Sequence, residues 1–188
     1  MVVNEKALRT RIKEAFKNQG YTVAVDDGVM WINGGFWLIW VNTDEVSNET
    51  LSLITLHTRK TLRDGEAYKV VKGDNGPIVQ KVLLDAAMAS AKTMGDHLAA
   101  RTMSETFKML KTNLRYDGCG VWQNDTHLNV VLIDPRYEAL IEDKKGVTAL
   151  GTGIYAEGEI SGAWVLRKDV KGQEVQLQHL AGMRWVLT

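Results

Sequence analysis

The chain opens with a helical rhythm. Leu8, Ile12 and Phe16 recur at four-residue intervals, Asn4 stands where an N-cap belongs, and Gly20 is placed to end the helix in a left-handed conformation. Three strand-like runs follow, TVAVDD, GVMWIN and FWLIWVN. Asp27-Gly28 and Gly34-Gly35 separate them, and both dipeptides favour tight hairpin turns. A two-residue turn at Gly34-Gly35 sets Asn33 opposite Phe36, Ile32 opposite Trp37 and Trp31 opposite Leu38. Val29, Trp31, Phe36, Leu38 and Trp40 then share one face, while Met30, Ile32, Trp37, Ile39 and Val41 share the other. Both faces are apolar, so the hairpin belongs in the middle of a sheet covered on two sides. Trp31, Trp37 and Trp40 are therefore expected in the core; the alternative is that one face serves a partner.

Downstream, TLSLITLHT from Thr50 alternates like a strand, with a helix as the alternative. AYKVVK reads as a strand leading into GDNGP. Pro77 suits the first position of a helix whose apolar face would be Ile78, Val79, Val82, Leu83, Ala86 and Ala87. A further helix is expected after Ser104, carrying Phe107, Leu110 and Leu114. Beyond Asp117 the chain turns β-rich: GVWQN and THLNVVLID form a hairpin around Asn124-Asp125, followed by YEALIED as a strand. From Ile154 to Arg167 the alternation places Ile154, Ala156, Gly158, Ile160, Gly162, Trp164 and Leu166 on one side. Tyr155, Glu157, Glu159, Ser161 and Arg167 fall on the other. Glycines on the apolar side imply close approach of another backbone or a strongly curved strand. EVQLQHL and GMRWVL complete two closing strands. The unit of helix, Asp27-Gly28, Trp31 and Asn33 has a faint echo in Asp117-Gly118, Trp122 and Asn124. These patterns give an α+β fold with predominantly antiparallel sheet, an N-terminal helix, central helices and a β-rich C-terminal half. The organisation is residues 1–66 followed by 67–188, or one continuous domain over 1–188.

Composition narrows the chemistry. The 188 residues carry 23 Lys plus Arg against 23 Asp plus Glu, so no overall basic footprint for duplex nucleic acid exists. Cys119 is the single cysteine, which excludes an intramolecular disulfide and a cysteine-based zinc site. The start of the chain lacks a signal-peptide pattern, and no apolar run reaches the ~20 residues that cross a bilayer. A cytoplasmic protein with no membrane association is expected. His57, His97, His127 and His179 show no metal-binding spacing. The sharpest enzymatic pattern is VVLIDPRYEALIEDKKG. There Asp134 at one strand end and Glu142-x-Lys144 at the next could hold a divalent metal, similar to the metal-binding core of restriction-type nucleases. The segment after it reads as strand where those nucleases have a helix. GDNGP could present backbone N–H groups to an anion, but lacks the lysine of a phosphate loop.

From His127 onward, HLNVVLID, a turn, LGTGIYAEGEISGAWVL and EVQLQHLAGMRWVL follow an order that resembles the single-stranded-DNA-binding proteins of short-tailed phages. That resemblance implies an OB-type barrel gripping single strands with stacked aromatics and a basic groove. It makes Trp122, Arg136, Tyr137, Lys144, Lys145, Tyr155, Arg167 and Lys168 the nucleic-acid-binding candidates. The chain departs from the pattern by stopping at GMRWVLT without an acidic tail, and by 65 N-terminal residues with no counterpart. A helix followed by three strands is also similar to the secretion-chaperone arrangement. The neutral, motif-poor chain is expected to be a non-catalytic protein-interaction module without cofactors: a phage-encoded inhibitor of a host system acting in the host cytoplasm, a virion component or a chaperone. Single-stranded DNA binding is the first alternative and a divalent-metal nuclease the second. The expected partner is a protein or single-stranded DNA, and homo-oligomers are compatible with the apolar hairpin.

Overall fold

Asn4 caps the first helix as the sequence indicates: its side chain accepts the Ala7 N–H, and α1 runs over Glu5–Lys17 with Leu8, Ile12 and Ala15 buried. The computed structural model describes residues 1–100, 108–124 and 130–168. Gly20, at φ +80°, donates its N–H back to Ala15 O at 2.7 Å and releases the chain into β1. β1 (Tyr21–Asp26), β2 (Val29–Asn33) and β3 (Trp37–Asn42) form a meander. Asp27 and Gly28 both adopt positive φ in the first turn, the conformation whose twist matches a hairpin.

The second turn differs from expectation. Asn33 faces Leu38 and Trp31 faces Trp40, with Gly34 N–H donating to Trp37 O at 3.0 Å, so Gly35 and Phe36 occupy the turn. In this register the Trp37 indole lies over Gly34, in space that a β-carbon would occupy. A two-residue shift preserves side-chain parity, so the two apolar faces survive intact apart from Phe36, which is 56% exposed.

A 3₁₀ turn at Thr43–Glu45 leads to α2 (Asn48–Thr58). TLSLITLHT is thus helical rather than extended. Ser47 caps it, and Thr50, Ile54, His57 and Thr58 are buried at helical spacing. β4 (Glu66–Gly73) and β5 (Gly76–Lys81) form a hairpin where Pro77 was expected to start a helix, and GDNGP is its turn. Val82 N–H donates to Ala67 O, so the alternation of the ladder points the Pro77 nitrogen at the open edge, where no donor is missed. Ile78 and Leu83, assigned to an apolar helix face, are exposed. Helix resumes as α3 (Leu84–Ala87) and α4 (Ala89–Ala99).

Leu110 and Leu114 belong to strand β6 (Met109–Tyr116), not to a helix. A spacing of four satisfies both periods, and pairing with β7 (Cys119–Asn124) decides between them. β8 (Val130–Ile133) follows, then α5 (Pro135–Glu138), which replaces the strand read into YEALIED. β9 (Thr148–Leu150), β10 (Gly153–Glu157) and β11 (Ser161–Leu166) complete the described chain. The long alternating run from Ile154 breaks at a turn closed by Gly158 N–H to Ser161 O. That turn inverts parity, so Trp164 faces Tyr155 instead of joining Ile154. EVQLQHL, GMRWVL, His127, His179 and Phe107 lie outside the described residues.

All pairings among the described residues are antiparallel. An eight-stranded sheet has the order β5-β4-β1-β2-β3-β11-β10-β9, and β6-β7-β8 form a second sheet. The two meet where Lys108 bridges Thr148 and where Lys168 N–H donates to Leu132 O at 2.8 Å; no barrel closes among the described residues. The boundary between residues 66 and 67 falls at the start of β4, inside the large sheet. One face of that sheet packs Val23, Ile32, Trp37, Ile39 and Val165 against Leu8, Ile12 and Ile54, and the same core takes in Trp122 and Ile133. The opposite face packs Leu38, Tyr155 and Trp164 against Ala91 and Met94 of α4, with Trp31 and Trp40 half-buried alongside. No described helix is long and apolar enough to cross a membrane.

Two stability predictions follow from this core. Trp37, 2% exposed, should cost about 3–5 kcal/mol on truncation to Ala, and half-buried Trp40 less, in urea unfolding of each variant. His57 is buried, stacked on Phe16 at 3.9 Å and hydrogen-bonded to Tyr21 Oη at 3.2 Å. Burial, with a smaller effect from the Lys13 charge, holds its pKa below the ordinary value of 6.5. The native state therefore binds this proton less readily than the unfolded chain. The His57 contribution is complete above about pH 6.5 and is lost as pH falls below it towards the folded pKa. Melting temperatures from pH 7.5 to 5 should fall less steeply in His57→Gln than in the wild type.

Candidate binding groove

Phe36 is the exposed ring that the β2–β3 turn pushes out of the sheet. Its position is fixed by pairing of the neighbouring strands, because its carbonyl accepts the Leu166 N–H at 3.0 Å beyond the end of the β3–β11 ladder. Across from it stands α5. Pro135 fits the first helical position, where no N–H is needed, and Asp134 caps the helix by accepting the Arg136 N–H at 2.9 Å. This places Tyr137 against Phe36, with ring centroids 6.0 Å apart and planes 20° from parallel. The two rings and Leu166 border a groove of about 630 Å³, with Arg136, Arg167 and Lys168 around it.

The charges of the groove are largely paired. Arg136 reaches Asp134 through Nε at 3.0 Å and Nη2 at 2.6 Å, and its guanidinium lies 5.6 Å from the Tyr137 ring centre. Hydrogen bonds from Arg136 hold the Asp134 carboxyl below the usual carboxylate range, and the same contact raises Arg136 still further above neutrality. Lys168 Nζ contacts Asp117 at 2.6 Å, which raises the lysine pKa. Arg167 has no ion pair among the described residues. Behind α5, buried Glu138 accepts from Lys111 and, at 3.2 Å, from Lys144, anchoring the short helix to β6 and to the loop after Ile141.

Of the eight residues suggested for nucleic-acid binding, Arg136, Tyr137, Arg167 and Lys168 converge on this groove. Trp122 and Tyr155 do not: they are 0% and 2% exposed, so neither ring offers a face to a base. Trp122 packs in the main core, and Tyr155 Oη accepts the Trp40 indole N–H at 3.2 Å. Lys144 is occupied by Glu138, and Lys145 lies on the exposed loop, where its backbone N–H donates to Asp143. The metal candidates are likewise corrected. Asp134 is a helix cap engaged by Arg136, while exposed Glu142 follows α5 instead of ending a strand, so the two-strand carboxylate arrangement does not form. Phe36 was missed. Its only signal was that it follows Gly34-Gly35, which the parity reading spent on the turn itself.

No protein-family model matches this chain, and no curated protein matches it. Among solved structures it is similar to DNA polymerase III subunit beta from Pseudomonas aeruginosa, at 9% identity and a TM-score of 0.33 over 93% of this chain and 66% of that one. It is also similar to a DNA polymerase sliding clamp from Pseudomonas aeruginosa, at 9% identity and a TM-score of 0.29 over 92% of this chain and 65% of that one. The chain thus spans just under two thirds of their length, and a likeness this loose carries neither fold nor function across.

Asp134 supplies the test of the groove's construction. Asp134→Ala removes the α5 cap and the Arg136 clamp together and should destabilise the protein by about 0.5–2 kcal/mol in denaturant titration. Because the folded pKa of Asp134 is lowered, its contribution is present above its unfolded value near 3.9 and is lost as pH falls through the folded one. The gap between wild type and variant should therefore close in acid.

Proposed function

We propose that the protein is a non-catalytic interaction module that contacts a protein partner through the Phe36–Tyr137 groove. The observation that carries this reading is the exposed Phe36 ring stacked on Tyr137 beside Arg136. Aromatic and arginine side chains bordering a concave, partly apolar surface are the composition of interface hot spots. The pairing of Arg136 with Asp134 and of Lys168 with Asp117 favours a protein over a polyanion. Three cations face two aspartates there, and only Arg167 is left unpaired among the described residues.

Single-stranded DNA binding is kept as the second reading by one specific observation: Arg136, Tyr137, Arg167 and Lys168 converge beside an exposed ring. A base stacked on Phe36 would contribute about 1–3 kcal/mol, and phosphate contacts would make affinity fall steeply with salt.

Phe36→Ala separates these readings without touching the core. For a protein partner, the variant should unfold like the wild type yet lose at least about 2 kcal/mol of binding, roughly thirtyfold, in calorimetry with the partner. Fluorescence titration with a dT oligomer at two salt concentrations is the companion measurement. A dissociation constant tighter than about 10⁻⁴ M at low salt, weakened by Phe36→Ala and by salt, would replace the protein-partner reading with the nucleic-acid one. A partner held equally by wild type and variant would remove the groove from either.

A further inference from the structure

A second cleft, sharing no lining residue with the Phe36 groove, lies between α2, the β1–β2 hairpin and the 61–64 loop. Its volume is about 410 Å³, within the span of roughly 300–1,000 Å³ typical of small-molecule sites. Val25, Met30 and Ile54 are its buried apolar lining, and half-buried Leu51 and Leu62 flank them. The opening is held in shape by hydrogen bonds between three segments. Asp64 Oδ1 accepts the Gly28 N–H at 3.2 Å, and the Thr43 hydroxyl donates to Gly28 O at 2.9 Å. Turn, 3₁₀ segment and loop are thereby tied together around the mouth.

The charge at that mouth is predominantly acidic. Among the described residues Asp64 is the only ionisable one lining the cleft; Asp27, Asp44 and Glu45 stand exposed on the segments that border it, against the single cation Arg63 on the 61–64 loop. None of the four carboxylates has an ion pair among the described residues. An anionic ligand would meet this field unfavourably, and a neutral one would leave it uncompensated. We propose that the cleft binds a small organic cation with an apolar body, a hydrophobic amine. Its hydrocarbon would lie against Met30, Ile54 and Leu62, and its ammonium would meet Asp64. This site is independent of the Phe36 groove and stands whichever partner that groove takes.

The test is a titration of the full chain, labelled with ¹³C at the methionine methyls, with hexylammonium, hexanol and hexanoate in low-salt buffer. Met30→Leu assigns the Met30 signal. Hexylammonium should shift that signal saturably, should bind about fivefold tighter than hexanol, as one solvent-accessible ion pair allows, and should bind tighter still relative to hexanoate. Asp64→Asn keeps an acceptor for Gly28, so the fold is retained, and it should erase most of the amine's advantage while leaving hexanol unchanged. Hexanol binding as tightly as the amine, an Asp64→Asn variant with the same preference, or shifts that avoid Met30 would each overturn the proposal.

Discussion

The seam between β3 and β11 is the contact on which the rest of the molecule depends. Some 120 residues separate the two strands, yet their ladder, from Ser161↔Val41 to Val165↔Trp37, turns two local meanders into one eight-stranded sheet. Its tightest point is Gly162 opposite Trp40. The indole lies across the glycine, where a β-carbon would overlap it, and its N–H reaches over to Tyr155 Oη on β10. A glycine normally weakens a strand, because it offers nothing to pack and costs chain entropy. Here the ring covers the bare backbone and couples three strands at once. The sequence implied close approach of another backbone or a curved strand at Gly162; what approaches instead is the Trp40 side chain.

The groove is a product of the same seam. The hydrogen bond from Leu166 N–H to Phe36 O carries β3–β11 pairing past Trp37, and so fixes the turn that presents the Phe36 ring beside residues 166–168. α5 reaches that place from the other sheet, held by Glu138 and its two lysines. Neither half of the site is near the other in sequence. A surface built this way exists only once the long-range ladder has formed, which ties any binding activity to complete folding.

Legibility followed range. Features decided within a few residues were readable: the Asn4 cap, the Asp27-Gly28 turn and the two apolar faces of β2 and β3, which survive a register shift of two because side chains alternate with period two. Ambiguity arose where one spacing fits two periods. Leu110 and Leu114, four apart, suit a helix face and a strand face equally, and only the ladder with β7 chooses. In TLSLITLHT the alternating leucines masked the burial of Thr50, Ile54, His57 and Thr58, because the helix buries two of its threonines, Thr50 and Thr58, and leaves Leu56 in solvent. For the candidate site, four basic or aromatic positions were legible. Trp122 and Tyr155 were not, because residue type alone does not say which face of a strand is covered.

The Phe36 groove and the α2 cleft show how differently charge can be arranged on a chain with no net charge. At the groove, Asp134 and Asp117 each engage a cation, so the surface keeps aromatic area and directional donors while its long-range field is small. At the α2 cleft, Asp27, Asp44, Glu45 and Asp64 stand without ion pairs among the described residues and outnumber Arg63 on the same rim, so the field there is local and predominantly negative. Compensated charge suits recognition by shape and stacking, where desolvating a bare cation would oppose binding. Uncompensated charge at an apolar cleft suits selection by sign, because a single ammonium relieves repulsion among several carboxylates. The equality of 23 basic and 23 acidic residues therefore conceals two surfaces with opposite electrostatic logic.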